Sequence, residues 1–258
     1  MSRARWRELR HVFEVEKRAN GVIVMTSYGD KLIGDESFKP IWEMLNKHSA
    51  LVFIHPGHVN ITPAKISGFL PQPVIDYPQA TTRAAMSLLL SGIMTGFTNI
   101  EVILSHAGGT FPYLGQRAIG SLVDPMIAQN SKVNVVQAKL AASRFWYDIA
   151  LSTSEPQLKA LLAFTSPSKI LYGSDFPYAP RAGIYCGLLQ YSKFIGSDEG
   201  KKIAPAQLNE NAAGLLRKHR REKSFLPHAE GGENPKEPGF GLEDSKDAEA
   251  ARAQLDNF

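Results

Sequence analysis

Short apolar runs alternate along most of the chain with stretches in which apolar residues recur at helical spacing. Runs of β-branched and aliphatic residues bounded by glycine or proline are typical of strands buried on both faces of a parallel sheet. We predict strands over residues 22–26, 50–55, 100–106, 145–151 and 169–174. Helices are predicted over residues 3–18, 38–47, 80–96, 111–121, 155–164, 183–193 and 205–217. The pattern therefore predicts an α/β fold of five β/α units preceded by a single helix.

Three of the predicted strands end in a residue that can bind a metal, followed by turn-forming residues. His55 follows one apolar run and precedes Pro56-Gly57, His106 follows a second, and Asp175 follows a third. In a barrel of parallel strands, catalytic and metal-binding side chains collect at the carboxyl ends of the strands. Two imidazoles and a carboxylate at that end predict a divalent metal site.

Length and composition predict one folded domain and a tail. The chain has 258 residues, of which 43% are hydrophobic and 21% charged, enough for one sizeable core. We place that domain at residues 1–223. From residue 224 the composition changes to glycine, proline, glutamate, lysine and aspartate. Such a segment buries too little apolar surface to order itself, so residues 224–258 are predicted to be disordered.

The charge and the cysteine content restrict the cellular compartment and the partners that we expect. The single Cys186 cannot form an internal disulfide, and no apolar run approaches the roughly 18 residues of a membrane span. The first residues carry charge but no apolar core of a signal peptide, so we expect a cytoplasmic protein. A net charge of +4 would suit nucleic acid, but the densest basic run, residues 217–223, ends the last predicted helix. A solvated helix terminus explains it, and neither nucleic acid nor a membrane is an expected partner.

The residues around the three strand ends resemble a known enzyme family. Residues 55–57 (HPG), 105–112 (SHAGGTFP) and 173–178 (GSDFPY) are similar to the metal-dependent decarboxylase branch of the amidohydrolase superfamily. That branch includes the aminocarboxymuconate semialdehyde, γ-resorcylate and 5-carboxyvanillate decarboxylases. One such motif alone would be weak, whereas three in order at successive strand ends make the resemblance specific.

Further segments narrow the resemblance within that branch. Residues 21–31, together with 70–73 and 76–78, look most similar to fungal 6-methylsalicylate decarboxylase-like proteins. The resemblance extends over about residues 5–217. It implies a TIM (β/α)8 barrel in which the five predicted strands are strands 4 to 8.

The first three barrel strands have no counterpart in this sequence. Relatives supply two further metal ligands from the first strand, as a His-x-His or Glu-x-His pair, and the chain contains no such pair. A typical barrel needs about 250 residues, more than the folded part here provides. We therefore expect a partial barrel with two unpaired edges, and weak metal binding.

The resemblance implies a role for each candidate residue. His55 and Asp175 would be metal ligands, for Zn²⁺ in the first place and Mn²⁺ as an alternative. Asp175 would also donate a proton to the substrate carbon, and His106 would act beside the metal as an acid/base and electrostatic partner of the substrate. Each also has a structural interpretation: His55 bonded to the backbone, Asp175 capping the next turn, and His106 serving close packing beside Gly108-Gly109.

The remaining candidates concern the substrate. Arg117 falls where relatives place an arginine that crosses a homodimer interface to a substrate carboxylate, although a surface salt bridge explains it equally well. Ser27, Tyr28 and His58 are candidates for lining the substrate pocket, with simple packing as the alternative.

The implied reaction is non-oxidative decarboxylation of a small aromatic ortho-hydroxy acid such as 6-methylsalicylate. The ring must be protonated at the carboxyl-bearing carbon as CO₂ leaves, and a metal would hold the carboxylate and the ortho oxygen together. We expect little activity from the chain as it stands, because two protein ligands hold a metal weakly. Two other hypotheses stay open: hydrolysis of a lactone or amide by the same superfamily, and a non-catalytic fragment.

Overall fold

The computed structural model describes residues 3–62 and 64–220. The predicted tail, residues 224–258, and the predicted domain boundary at residue 223 lie outside the described residues, so both stay predictions. Within the described ranges, no helix is both long and apolar enough to cross a membrane.

Within the described residues, seven strands form two sheets. They are β1 (Gly21–Met25), β2 (Ser27–Tyr28), β3 (Lys31–Leu32), β4 (Leu51–His55), β5 (Glu101–Leu104), β6 (Trp146–Asp148) and β7 (Ile170–Leu171). The main sheet has the order β1-β4-β5-β6-β7 and every pair in it is parallel. The predicted set of five adjacent parallel strands is therefore confirmed. A short antiparallel pair, β2 and β3, follows β1.

Ten α-helices connect and flank the strands in the described residues. They are α1 (Arg3–Arg10), α2 (Lys39–Lys47), α3 (Gln72–Leu90), α4 (Ile93–Gly96), α5 (Phe111–Gly120), α6 (Pro125–Ala128), α7 (Val135–Ala142), α8 (Glu155–Phe164), α9 (Arg181–Ile195) and α10 (Pro205–His219). Short 3₁₀ segments precede several of them, and a π-helical segment, His11–Glu16, extends α1.

Two helical predictions needed correction. The predicted helix 80–96 begins at Gln72, with a proline in its first turn and Pro78 inside it. It ends at Leu90 because Gly92 adopts a left-handed backbone, with φ of 76°, and the chain then starts α4. Helix α7 was not predicted, although Asn134 and Gln137 form a reciprocal capping box at its start.

Two predicted strands are shorter than expected for a local reason. Strand β6 ends at Asp148 because the N–H of Ala150 donates to the Asp148 carboxylate at 2.8 Å, in place of a neighbouring strand. Strand β7 comprises only Ile170 and Leu171, and residues 172–174 leave the ladder before Asp175. The two strands therefore release the chain into irregular backbone at the edge where the candidate site lies.

The two faces of the main sheet differ in how they are covered. One face carries Val52, Ile54 and Leu104, which are completely buried against the helices. The other face, called here the site face, carries the alternate residues, a set made up of Ile23, Met25, Phe53, His55, Ile103, Trp146 and Asp148. At its β1 edge this face is open, since Ile23 is 65% exposed and Met25 is 38% exposed.

Helix α10 closes the amino end of the sheet. The side-chain amide of Asn211 donates to the carbonyls of Pro167 and Ile170, both at 2.8 Å, beside the start of β7. Farther along the helix, Lys218 pairs with Glu101 at the start of β5, and the Nδ1 of His219 lies 2.7 Å from the Ser49 carbonyl before β4. The helix therefore spans the starts of strands β4 to β7, leaving the opposite end of the sheet for the site.

The Asn211 contact yields a stability prediction. Changing Asn211→Asp removes both donated hydrogen bonds and places a carboxylate against two carbonyls, so the free energy of unfolding should fall by about 3 kcal/mol. Urea denaturation measures it. The control, Asn209→Asp, lies on the exposed side of the same helix and should change the value by less than about 0.5 kcal/mol. Equal effects of the two variants would refute the anchoring role.

Candidate metal centre

Three side chains from different strand ends meet on the site face. The Nε2 atom of His55 lies 3.2 Å from Oδ1 of Asp175, and the Nε2 atom of His106 lies 3.7 Å from Oδ2 of the same carboxylate. The two imidazole rings are 5.2 Å apart between centroids. One potential ligand atom from each residue lies within 4.8 Å of the others. The structure thus brings together the three residues that the sequence pattern singled out.

His55 is held by the residue that follows it. Its Nδ1 lies 2.9 Å from the Pro56 carbonyl, so that nitrogen must carry the proton and donate it. In the neutral ring Nε2 then presents a lone pair to Oδ1 of Asp175. Two acceptors 3.2 Å apart repel each other unless a proton or a cation lies between them. Orientation of a ligand histidine through its other nitrogen is the usual arrangement in metal sites.

His106 begins a tight turn after β5. Its backbone is left-handed, with φ of 56°, and the left-handed course continues through Ala107 and Gly108. Its side chain is buried, and Nδ1 has no hydrogen-bond partner among the described residues. Burial lowers the pKa of His106, the Asp175 carboxylate acts in the opposite direction, and His55 lowers it further. The neutral imidazole is therefore favoured at neutral pH.

The two glycines after His106 are required by close contacts. A Cβ on Gly108 would lie 2.9 Å from the Tyr147 ring, and one on Gly109 would lie 1.8 Å from the Pro78 carbonyl oxygen in α3. The hydroxyl of Thr82 accepts the N–H of Thr110 at 2.9 Å and ties the turn to the same helix. Close packing at Gly108 and Gly109 was considered as a structural role for the segment of His106. The structure shows this packing together with the contact between His106 and Asp175.

The backbone carbonyl of Asp175 holds the next turn, so its side chain is not needed there and faces the imidazoles of the site. Its carbonyl accepts the N–H groups of Tyr178 at 2.9 Å and Ala179 at 2.8 Å. The N–H of Phe176 lies 3.3 Å from the hydroxyl of Ser174. The capping role considered for the Asp175 carboxylate is therefore filled by other atoms, which leaves both of its oxygens for the imidazoles. Like His106, Asp175 has a left-handed backbone, with φ of 62°.

Sequence reasoning missed a fourth polar residue at this edge of the sheet. Asp148, at the end of β6, is 6% exposed, and its Oδ1 accepts the N–H of Ala150 at 2.8 Å and of His106 at 3.2 Å. Burial raises the pKa of the Asp148 carboxyl to about 6, and these hydrogen bonds oppose the shift. In the sequence, Asp148 follows the apolar pair Trp146-Tyr147, as a residue at a strand end would. It was not recognised because the strand was predicted to continue to residue 151.

Two pocket candidates lie in the β2–β3 hairpin beside β1. The hydroxyl oxygen of Tyr28 accepts the Met25 N–H at 3.1 Å, and its ring centroid lies 5.7 Å from that of Phe38. Ser27 is half-buried in the same hairpin. Tyr28 therefore has a structural contact of its own, and substrate contact by Ser27 and Tyr28 stays a prediction.

The other two substrate candidates are exposed. His58 lies in the loop after β4, three residues beyond His55. Arg117 lies exposed on α5 and forms no ion pair with any residue of 3–62 and 64–220. The structure does not bring Arg117 into contact with the three-residue cluster, and substrate contact by Arg117 stays a prediction.

The donor set fits a divalent metal ion. Catalytic zinc sites combine about three nitrogen and oxygen ligands from the protein with an open position for water or substrate. Two imidazoles and a carboxylate on an open face match that requirement, and a cation between Nε2 of His55 and Oδ1 of Asp175 would relieve the repulsion of two facing acceptors. The imidazole of His106 supplies a third potential ligand atom beside the predicted ligand pair of His55 and Asp175.

The family profile described as Amidohydrolase matches residues 6–218, which include all three residues of the cluster. The chain belongs to the amidohydrolase family. Its curated relatives include a 6-methylsalicylic acid decarboxylase of Penicillium expansum, 40% identical over 198 residues, which are 76% of this chain and 59% of that protein. A 6-methylsalicylic acid decarboxylase of Aspergillus aculeatus is 39% identical over 229 residues, 85% of this chain and 67% of the other.

The amidohydrolase chain thus spans roughly three fifths to two thirds of the length of these relatives. Among solved structures, it resembles a dihydroxybenzoic acid decarboxylase of a Polaromonas species, determined with bound manganese and the inhibitor 2-nitroresorcinol. The TM-score is 0.63 at 20% identity, over 85% of this chain and 67% of the other. This likeness shows the fold, a parallel β/α arrangement of the kind found in TIM-barrel decarboxylases.

The turn at His106 yields a second prediction. Changing Gly109→Ala forces a methyl group into the Pro78 carbonyl and should lower the free energy of unfolding by more than about 3 kcal/mol. The matched control is Gly29→Ala, because Gly29 also has a positive φ but nothing within 4 Å of the added carbon. It should cost only about 1–2 kcal/mol. Chemical denaturation compares the two, and similar losses would exclude the close contact as the reason for the glycine.

Proposed function

We propose that this amidohydrolase chain is the site-bearing part of a metal-dependent, non-oxidative decarboxylase of a small aromatic ortho-hydroxy acid of the 6-methylsalicylate type. The observation that carries the proposal is the Asp175 carboxylate facing the imidazoles of His55 and His106 on an open sheet face. Relatives about 40% identical carry the same activity in their names. The enzyme class is a carboxy-lyase.

His55 and Asp175 are the proposed metal ligands, with Zn²⁺ as the expected ion and Mn²⁺ as the alternative. The manganese in a structural neighbour supports a divalent ion without choosing between the two. A bound ion would supply Lewis-acid chemistry, holding the substrate carboxylate and its ortho oxygen and offsetting their charge. His55 serves this role because its Nδ1 is occupied by the Pro56 carbonyl.

Asp175 and His106 carry the proton chemistry in this proposal. The bond between ring and carboxyl carbon breaks, CO₂ leaves, and a proton takes its place on the ring. For this step Asp175 must carry a proton as its carboxylic acid; it gives that proton to the ring carbon and is left as a carboxylate. His106, neutral because burial lowers its pKa, accepts a hydrogen bond or a proton from the ortho-hydroxyl group of the substrate.

We also propose that the five-stranded sheet is strands 4 to 8 of a barrel completed by further strands. Among the described residues, β1 and β7 have no neighbour on their outer edges. Ile23 and Met25 on β1 are exposed, as expected for residues that would face the inside of a closed barrel. Strands from a longer form of the chain or from a second polypeptide would cover them and add metal ligands.

A homodimer is the proposed assembly. Arg117 lies on α5, and exposed apolar side chains lie on α5, on α6 and between them, namely Tyr113, Leu114, Val123, Met126 and Ile127. Exposed apolar side chains on the elements around an exposed arginine suit contact with a second copy whose bound substrate carries a carboxylate. The molar mass in solution tests this, and a monomer whose mass is unaffected by Met126→Lys would contradict it.

The function yields a third prediction. The 258-residue chain should bind Zn²⁺ or Mn²⁺ weakly and release little CO₂ from 6-methylsalicylate. Fusing the first three β/α units of the Penicillium expansum relative to its amino end should restore metal binding and CO₂ release, because these units close both sheet edges and add ligands. Metal content by elemental analysis and CO₂ evolution measure both effects.

Two variants of the fusion separate the roles. Asp175→Asn should abolish turnover, since it removes a negative ligand and the proton donor. His106→Asn should lower turnover by about 10²-fold or more and spare most of the metal. Full activity of the 258-residue chain or of the Asp175→Asn fusion would contradict the mechanism, and hydrolysis of a lactone without CO₂ release would favour the hydrolase hypothesis.

A further inference from the structure

Asp148 is a buried carboxylate with an unusual set of partners. It is 6% exposed, and its Oδ1 accepts two backbone N–H groups, from Ala150 at 2.8 Å and from His106 at 3.2 Å. In the described part of the chain, no lysine or arginine pairs with it. Burying a charge without a cationic partner costs free energy, and a neutral side chain of similar size would avoid that cost.

The hydrogen bond from the His106 N–H to Asp148 joins the ends of two neighbouring strands, β5 and β6. His106 follows β5 and lies 42 positions before Asp148 in the sequence. Its backbone is left-handed, a conformation that costs a residue other than glycine roughly 1–2 kcal/mol. Such a conformation persists when the surroundings hold it, and the amide bonded to Asp148 is that of the strained residue itself.

Asp148 also lies against the segment that carries Asp175. A Cβ on Gly173 would be 3.2 Å from the Asp148 carboxyl carbon and from its Oδ1. The chain between β7 and Asp175 therefore passes directly over this carboxylate, and Gly173 leaves the space for it. Asp148 is thus wedged between the turn of His106 and the approach to Asp175, the two residues whose side chains meet at 3.7 Å.

We propose that Asp148 is a positioning residue for the metal centre. By accepting the amide of His106 it fixes the left-handed turn and so directs the His106 imidazole toward the Asp175 carboxylate. It acts through the backbone of His106 and touches neither metal nor substrate. The catalytic half of this proposal rests on the proposed decarboxylase function, whereas the structural half does not.

The first test uses the 258-residue chain and needs no activity. In Asp148→Ala the amide of His106 loses its acceptor, so its hydrogen exchange should accelerate at least about tenfold, while the amide of Leu104 in the β5 ladder keeps its protection. Asp148→Asn retains a carbonyl oxygen at the same place and should restore most of the protection. Amide exchange and the imidazole signals of His106, followed by NMR with and without Zn²⁺, give the readout.

A matched control separates positioning from general destabilisation. Glu101 is likewise a buried carboxylate on the site face, but it lies at the amino end of β5, where it accepts the Trp146 indole N–H at 2.9 Å. Glu101→Gln should lower stability without changing the exchange of the His106 amide. If Asp148→Ala does not fold, Asp148→Ser takes its place, since a serine hydroxyl can bond Ala150 locally but is too short to reach His106.

The second test uses the complete barrel fusion. Asp148→Ala should lower kcat more than it raises KM, and Asp148→Asn should recover most of the lost kcat, because the change displaces His106 and leaves the metal ligands His55 and Asp175 in place. An inactive parent fusion would refute the proposed function and leave the NMR result to decide the positioning role. An unchanged His106 amide in Asp148→Ala, the same change in Glu101→Gln, or no recovery in Asp148→Asn would overturn the inference.

Discussion

The contact between the Asp175 carboxylate and the imidazoles of His55 and His106 unites three strand ends that are far apart in sequence. Asp175 is 120 positions from His55, and the two side chains approach to 3.2 Å only because the strands that precede them belong to one parallel sheet. The parallel arrangement puts every carboxyl end on the same edge. The helices that bury the opposite face hold the strands in that order, so the chemistry depends on a core that contains none of the reacting groups.

Strained backbone is concentrated at the same edge. His106 and Asp175 both adopt left-handed conformations, which side chains other than glycine rarely adopt. Each is held by its neighbours: the turn of His106 by the Thr82–Thr110 contact and by Asp148, and the turn of Asp175 by its own carbonyl, bonded to the N–H groups of Tyr178 and Ala179. The surrounding fold offsets the conformational free energy of these two left-handed residues and so brings the side chains of His106 and Asp175 together.

Much of this arrangement follows from the sequence pattern, and the rest depends on contacts that the pattern does not contain. His55 and Asp175 were foreseeable because each ends an apolar run before turn-forming residues. Asp148 was not, because the strand was expected to continue and nothing local indicates that its carboxylate would accept the amide of His106, 42 positions earlier. The early start of α3 at Gln72 shows the same limit, since a helix with Pro78 inside it contradicts local propensity and is stabilised by packing.

The central claim is that a divalent metal binds on the site face, at His55, His106 and Asp175. Long-range ¹H–¹⁵N NMR of the histidine rings during addition of Zn²⁺ to the 258-residue chain tests it most directly. We predict saturable shifts of Nε2 of His55, with the ring of His106 also perturbed, and loss of both responses in Asp175→Asn while the exposed His58 responds alike in the two proteins. Unchanged His55 and His106 signals at saturating Zn²⁺, or shifts that survive Asp175→Asn, would contradict a shared metal site.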